Sequence, residues 1–185
     1  MSMLPSVHVA RIAWCFGDNF DVDQLIGVAN IKIQDEAALV DHVMKQFEAD
    51  FLSKIQAGDV LVGGHNFGYG HPHAISMRAM RHVGIKAVIA ESFFSSFWIG
   101  EMGSGMPLIR CPGITRHANR FSAVKIDFDA YQVTLTESNI TLAFDPYTDR
   151  EKAILQAGGL KKFLISGRRL TPNLTPEGKN QSEMC

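Results

Sequence analysis

The chain has 185 residues, 18 Lys and Arg against 19 Asp and Glu for a formal net charge of -1, and 46% hydrophobic residues. That is enough chain for one soluble domain with its own core, and too little clustered positive charge for nucleic-acid binding, because the longest basic groups are pairs such as Lys161-Lys162 and Arg168-Arg169. The most apolar stretch, residues 92–100, is broken by serines and falls far short of the roughly 20 residues that a membrane-crossing helix needs.

Residues 7–14 alternate and predict a strand that runs into Gly17-Asp18-Asn19-Phe20-Asp21-Val22-Asp23-Gln24, whose glycine, asparagine and aspartates favour turns. From Asp35, a suitable N-cap, Leu39, Val40, Val43, Met44, Phe47 and Phe51 recur at spacings of three and four, which predicts one amphipathic helix. Gly58-Asp59 turns the chain into a short buried strand, Val60-Leu61-Val62. The loop Gly63-Gly64-His65-Asn66-Phe67-Gly68-Tyr69-Gly70-His71-Pro72-His73 follows it. Residues 74–83 predict a helix closed by Gly84, and residues 85–90 a second buried strand. Strand, loop, helix and strand form a βαβ crossover, which requires parallel strands and puts the glycine loop at the carboxyl end of the first, where ligands bind in α/β sheets. Residues 92–102 are expected to be helical, packed by Phe93, Phe94, Phe97 and Trp98, with a further strand at 106–109. Runs at 123–128, 133–136 and 140–144 predict an antiparallel meander, and residues 148–157 a last helix. The expected organisation is one domain over residues 1–170 and a mobile tail over 171–185.

A glycine-rich turn that opens a helix exposes backbone N–H groups at the positive end of the helix dipole and can hold a carboxylate or phosphate. The blander reading is that these glycines only permit a tight connection. Gly68-Tyr69-Gly70 lacks the third glycine of a dinucleotide fingerprint, and no Walker pattern is present. His65, His71 and His73 bring three imidazoles into nine residues, where they could bind a metal, serve as acid and base near neutral pH, or simply lie on the surface. Asp18, Asp21 and Asp23 fail the EF-hand pattern and are expected to organise a turn or an interface. His8, His42, His82 and His117 are isolated. Cys15, Cys111 and Cys185 give neither a disulfide framework nor a self-contained zinc or iron–sulfur site. With no basic segment followed by an apolar one at the start, a cytoplasmic chain is expected.

These segments resemble a known family. Gly17 to Gln24 is similar to the G-D-N-I-D-T-D-Q segment of the small subunits of isopropylmalate isomerase and homoaconitase, the swivel domain of the aconitase superfamily. Residues 58–68 resemble their G-D-V-(I/L)-V-A-G-x-N-F-G, residues 84–93 their G-I-K-A-V-I-A-x-S-F, residues 106–109 their G-L-(L/I)-P-I ending, and residues 154–160 their I-L-x-A-G-G-L. The resemblance implies an α/β fold, a single swivelling β/β/α domain. It also implies the small subunit of a hydro-lyase, a dehydratase or isomerase that removes or adds water on a hydroxy carboxylic acid. The partner would be a large subunit carrying a [4Fe-4S] cluster, in a heterodimer or heterotetramer, with no metal held by this chain.

The family follows N-F-G-x-G with Ser-Ser-Arg, a serine base and a carboxylate-binding pair. Counted without a gap from Asn66, those positions hold His71, Pro72 and His73. Imidazole serves as a base near neutral pH with less activation than a hydroxyl needs, so His71 is expected to take the base's place. His73, His65, Lys32 and the backbone N–H groups around Gly70 are the candidates for binding the anionic substrate. Lys32 falls in Asn30-Ile31-Lys32-Ile33, where the family's substrate-selecting loop often reads Y-L-R-T, so substrate identity does not carry over. The alternative is a catalytically altered or inactive swivel domain kept as a ligand-binding or regulatory subunit. A stand-alone histidine–metal enzyme would need no partner at all.

Overall fold

The computed structural model describes residues 4–33, 35–71 and 73–167; the expected tail from Thr171 lies outside the described residues. Seven strands, β1 (Val7–Cys15), β2 (Val60–Gly63), β3 (Ala87–Ala90), β4 (Leu108–Arg110), β5 (Ala123–Asp127), β6 (Gln132–Leu135) and β7 (Ile140–Ala143), form one mixed sheet in the order β4-β3-β2-β1-β5-β6-β7. The parallel half and the meander are both as the sequence predicts, and they meet on β1. Residues Val7 to Arg11 pair antiparallel with β5; from Ile12 to Cys15 the same strand pairs parallel with β2, with a register shift between Ile12 and Trp14. Arg11 stands at that changeover. Its guanidinium donates to Asp59 Oδ2 at 2.8 Å and to the Lys54 carbonyl at 2.6 Å, which ties β1 to the turn that opens β2.

All residues of β2 and β3 are buried, the pattern of strands covered on both faces. The cover includes α3 (Ala74–His82) and α4 (Ser95–Gly103), with α5 (Asp149–Ala157) and α6 (Leu160–Ile165) beside α4. Helix α3 turns Ile75, Met77, Ala79 and Met80 inward, each worth about 1–3 kcal/mol of burial. It is closed as expected at Gly84, whose φ of +105° is the left-handed exit a glycine permits. Helix α5 opens with a capping box: Thr148 accepts from the Glu151 amide while the Glu151 carboxylate accepts from the Thr148 amide.

Three expectations need correction. The single helix from Asp35 is instead α1 (Glu36–Leu39), a 3₁₀ turn over Val40–His42, an irregular stretch and α2 (Phe51–Lys54). Asp35 does cap α1, accepting from the Ala37 amide at 3.0 Å, but Met44 adopts φ +58° and gives its amide to the Leu25 carbonyl at 2.6 Å, which ends any helical ladder. The apolar spacing reported burial correctly: Leu39, Val43, Met44 and Phe51 are all inside, and Phe47 packs 6.1 Å from Trp14. Helix α4 starts three residues later than expected, because residues 92–94 pair with the glycine loop: Phe67 donates to the Ser92 carbonyl at 3.0 Å and Phe94 donates to the Phe67 carbonyl at 2.9 Å. Helix α6 lies beyond Gly158-Gly159, a pair that has the composition of a helix end but here only separates α5 from a further helix. No helix among the described residues is long and apolar enough to cross a membrane.

Candidate functional site

The carboxyl ends of β1 to β4 share one edge, and there two loops far apart in sequence interlock. Gly64 donates to the Gly17 carbonyl at 3.3 Å, and Asn19 to the His65 carbonyl at 2.8 Å. The His65 amide in turn donates to Asp18 Oδ1 at 2.7 Å, and Gly68 and Tyr69 both donate to the Phe20 carbonyl. Asn19 and Asn66 are both left-handed, at φ +52° and +57°, and their side chains meet, Asn66 Nδ2 donating to Asn19 Oδ1 at 2.9 Å. Beneath them the rings of Phe16, Phe20, Phe67 and Phe97 form a continuous apolar floor.

Three glycines make this closeness possible. A Cβ on Gly64 would overlap Asp18 Oδ1 and come within 2.8 Å of the Asp18 backbone nitrogen; one on Gly63 would overlap the Phe67 ring; and one on Gly68, at φ +82°, would run into Phe97. Gly70 is different. Its φ is +94°, but no atom of the described residues lies within 4 Å of where a Cβ would stand.

At the far end of the loop a carboxylate from the first loop closes on His73. Asp23, expected to organise a turn or an interface, is 5% exposed and gathers three hydrogen bonds. Its Oδ1 accepts from the His73 amide at 3.0 Å and from Ser76 Oγ at 2.8 Å, and its Oδ2 lies 2.7 Å from His73 Nδ1. An aspartate carboxylate only accepts, so Nδ1 is the donor in this pair, and in the neutral ring the lone pair is then on Nε2. The His73 side chain is 49% exposed, and no hydrogen bond reaches Nε2 among the described residues. Asp21 contributes differently, capping the 3₁₀ turn Val22–Leu25 by accepting from the Asp23 amide at 2.9 Å.

The other sequence-predicted residues divide. His71 is exposed, and among the described residues neither it nor Gly70 makes a hydrogen bond, so both amides are free to meet an anion. The backbone of His65 is fixed between Asp18 and Asn19 while its ring is exposed. Lys32 lies exposed after the 3₁₀ turn Val28–Asn30, and among the described residues no hydrogen bond or ion pair joins it to the glycine loop. Glu91, directly after β3, faces this edge too. Burial pushes its carboxyl up, but the Thr115 hydroxyl and the Gly113 and Thr115 amides outweigh that and hold it below its usual range. Cys111 is pushed up to about 12 by burial and by the Glu91 and Asp145 charges, which keeps it a thiol rather than a ligand or nucleophile. Among the described residues no group of three or more His, Cys, Asp or Glu is placed to hold a metal ion.

A hollow of about 80 Å³ lies beside His73, walled by Ser96, Phe97 and Glu101. Burial raises the Glu101 carboxyl against the opposing pull of Arg81, with which it is paired. A larger cleft of about 540 Å³ opens at the opposite edge of the sheet, where Gly58, Ala87 and Pro107 lead into the parallel strands.

The frame of the site is a pair of interlocked glycine loops at the carboxyl edge of a parallel half-sheet, joined through one strand to an antiparallel wing. No protein-family profile matches the chain. Individual proteins do. It is 32% identical to the 3-isopropylmalate dehydratase small subunit of Halothermothrix orenii over 82% of this chain and 92% of that protein, and 32% identical to small subunit 1 of the same enzyme from Methanopyrus kandleri over 82% and 89%. The crystal structure of 3-isopropylmalate dehydratase from Methanocaldococcus jannaschii superposes with a TM-score of 0.79 at 32% identity, over 87% of this chain and 95% of that one. The chain belongs to the family of 3-isopropylmalate dehydratase small subunits.

Proposed function

We propose that this chain is the small subunit of a hydro-lyase that removes or adds water on a hydroxy carboxylic acid, in a complex with a large subunit that carries a [4Fe-4S] cluster. The observation that carries this reading is the interlocked loop pair at the carboxyl edge of the sheet, in a chain similar to dehydratase small subunits over nearly their full length. Bound on the partner, the cluster would supply Lewis-acid polarisation of the substrate hydroxyl and carboxylate. This chain's part is to bind the acid and move the proton held on carbon. The amides of Gly70 and His71 and the exposed rings of His65 and His71 offer donors to a carboxylate, Lys32 offers a charge from the neighbouring segment, and one imidazole of the glycine loop replaces the family's serine as proton carrier. Closure of the two subunits over this exposed edge would exclude water and strengthen each of those contacts.

The substrate is a hydroxy acid other than the family's usual one, because both the Ser-Ser-Arg positions and the selecting loop at Asn30 to Ile33 have changed chemistry. The test is to co-express the chain anaerobically with its large subunit and follow a panel of hydroxylated and unsaturated carboxylic acids by ultraviolet absorbance. Turnover that requires both chains is the expected result. An intact, cluster-loaded complex that turns over none of them would support the regulatory alternative instead.

A further inference from the structure

We infer that His73, held by Asp23, is the base that moves the carbon-bound proton, and that His71 serves the substrate's charge instead. This rests on the hydro-lyase reading and deepens it. The two imidazoles stand two residues apart yet differ in one physical respect. His71 makes no hydrogen bond among the described residues, so its ring is free to rotate and to carry its proton on either nitrogen. His73 is fixed at both ends of the residue: its amide and its Nδ1 bond the two oxygens of one carboxylate, at 3.0 Å and 2.7 Å. That carboxylate is itself immobile, being buried and held by Ser76 Oγ at 2.8 Å from the first turn of α3. A base must present a lone pair at a set point, and only His73 has its tautomer and ring plane determined before substrate arrives.

In the dehydration direction Nε2 of His73 takes the proton from carbon, the C–H pair becomes the new carbon–carbon π bond, and the C–O pair departs with the hydroxyl oxygen. The proton now on Nε2 and the departed hydroxide together make the water released. Hydration reverses each movement, with Nε2 returning the proton to carbon. Asp23 touches no reacting atom; it is a positioning residue that sets the tautomer and offsets the charge of the imidazolium while it exists. An asparagine at Asp23 would keep one oxygen for the His73 amide and Ser76, while its NH₂ group would face Nδ1 and drive the ring proton to Nε2, the wrong place.

The experiment uses the full complex with its large subunit. Wild-type turnover reports on the hydro-lyase reading, and three variants report on the dyad. Asp23→Asn is expected to lower kcat at least about a hundredfold with KM within about threefold, and His73→Ala to do the same with partial recovery on adding free imidazole. His71→Ala should raise KM and leave kcat within about tenfold. Should Asp23→Asn fail to fold, His73→Ala with imidazole rescue carries the test alone, since that side chain is half exposed. Nitrogen-15 shifts of the ring in the wild-type complex should show the proton on Nδ1 at neutral pH. Full kcat in His73→Ala, or loss of kcat with imidazole rescue in His71→Ala, overturns the assignment while leaving the hydro-lyase standing; a wild-type complex with no turnover overturns both.

Discussion

In β2 and β3 every residue is buried, whereas β5 and β6 bury alternate residues and β7 fully buries none. The connections differ in the same sense. The parallel half packs its loops through Gly63, Gly64 and Gly68, which have no room for a side chain, and those loops bond one another across nearly fifty residues of sequence. The wing turns through Tyr131 and Asn139, ordinary residues in left-handed conformation between adjacent strands. Covered strands fix the height and spacing of the loops at their ends, so chemistry collects there; a half-solvated meander gives breadth and packing but no such platform.

That contrast can be broken most severely at Gly68. Replacing it with alanine sets a Cβ into the Phe97 ring and strains a backbone at φ +82°, so we expect a loss of about 3–5 kcal/mol, a melting temperature lower by roughly 10 °C and no turnover in the complex. Next is Asp59→Ala at the start of β2. It leaves the Arg11 guanidinium without its buried partner at the changeover of β1 and should cost about 3 kcal/mol by urea denaturation, since Asp59 is 3% exposed. A smaller effect is expected in acid. Hydrogen bonds from Arg120 and then Lys54 hold Glu48 at about 2 against an ordinary 4.5, so the stability it contributes is complete above pH 4.5 and is lost as pH falls toward 2. Glu48→Gln should therefore flatten the acid limb of the melting profile between those values and leave stability near pH 2 unchanged. The mildest is in the wing: Thr134→Ala removes one hydroxyl of an exposed cross-strand pair, 3.0 Å from Thr141, and should cost about 0.5 kcal/mol with turnover unaffected.

Local signals carried most of the element order. Alternation gave the strands, Gly84 gave the end of α3, and the parallel crossover followed from strand, glycine loop, helix and strand. What stayed out of reach depended on contacts between distant residues. The spacing from Leu39 to Phe51 is helical, but the Met44 amide is claimed by the Leu25 carbonyl, and periodicity alone does not distinguish a buried helix from buried turns. At the site the glycine loop and its histidines were visible, and so was their resemblance to a family. Asp23 was not, because its role exists only once residues fifty apart are brought together, and a third aspartate in a turn-rich segment looks like any other. Its trace in the sequence is its place in the segment from Gly17 to Gln24 that resembles the family's, which marks the stretch but not this carboxylate's partner.

The changeover on β1 also shapes how the protein is made. This strand is made before the other six of the sheet and finds β2 after about fifty residues, yet the partner of its opening half, β5, is not complete until Asp127. At about 5–20 residues per second, the edge from Val7 to Arg11 stays open for on the order of ten seconds in each nascent chain. Pairing over so long a separation is slow, and an open edge recruits other strands. The segment carries Arg11 and His8 but also the exposed Val7 and Val9, so in the finished fold it is the pairing with β5 that closes this edge to other strands.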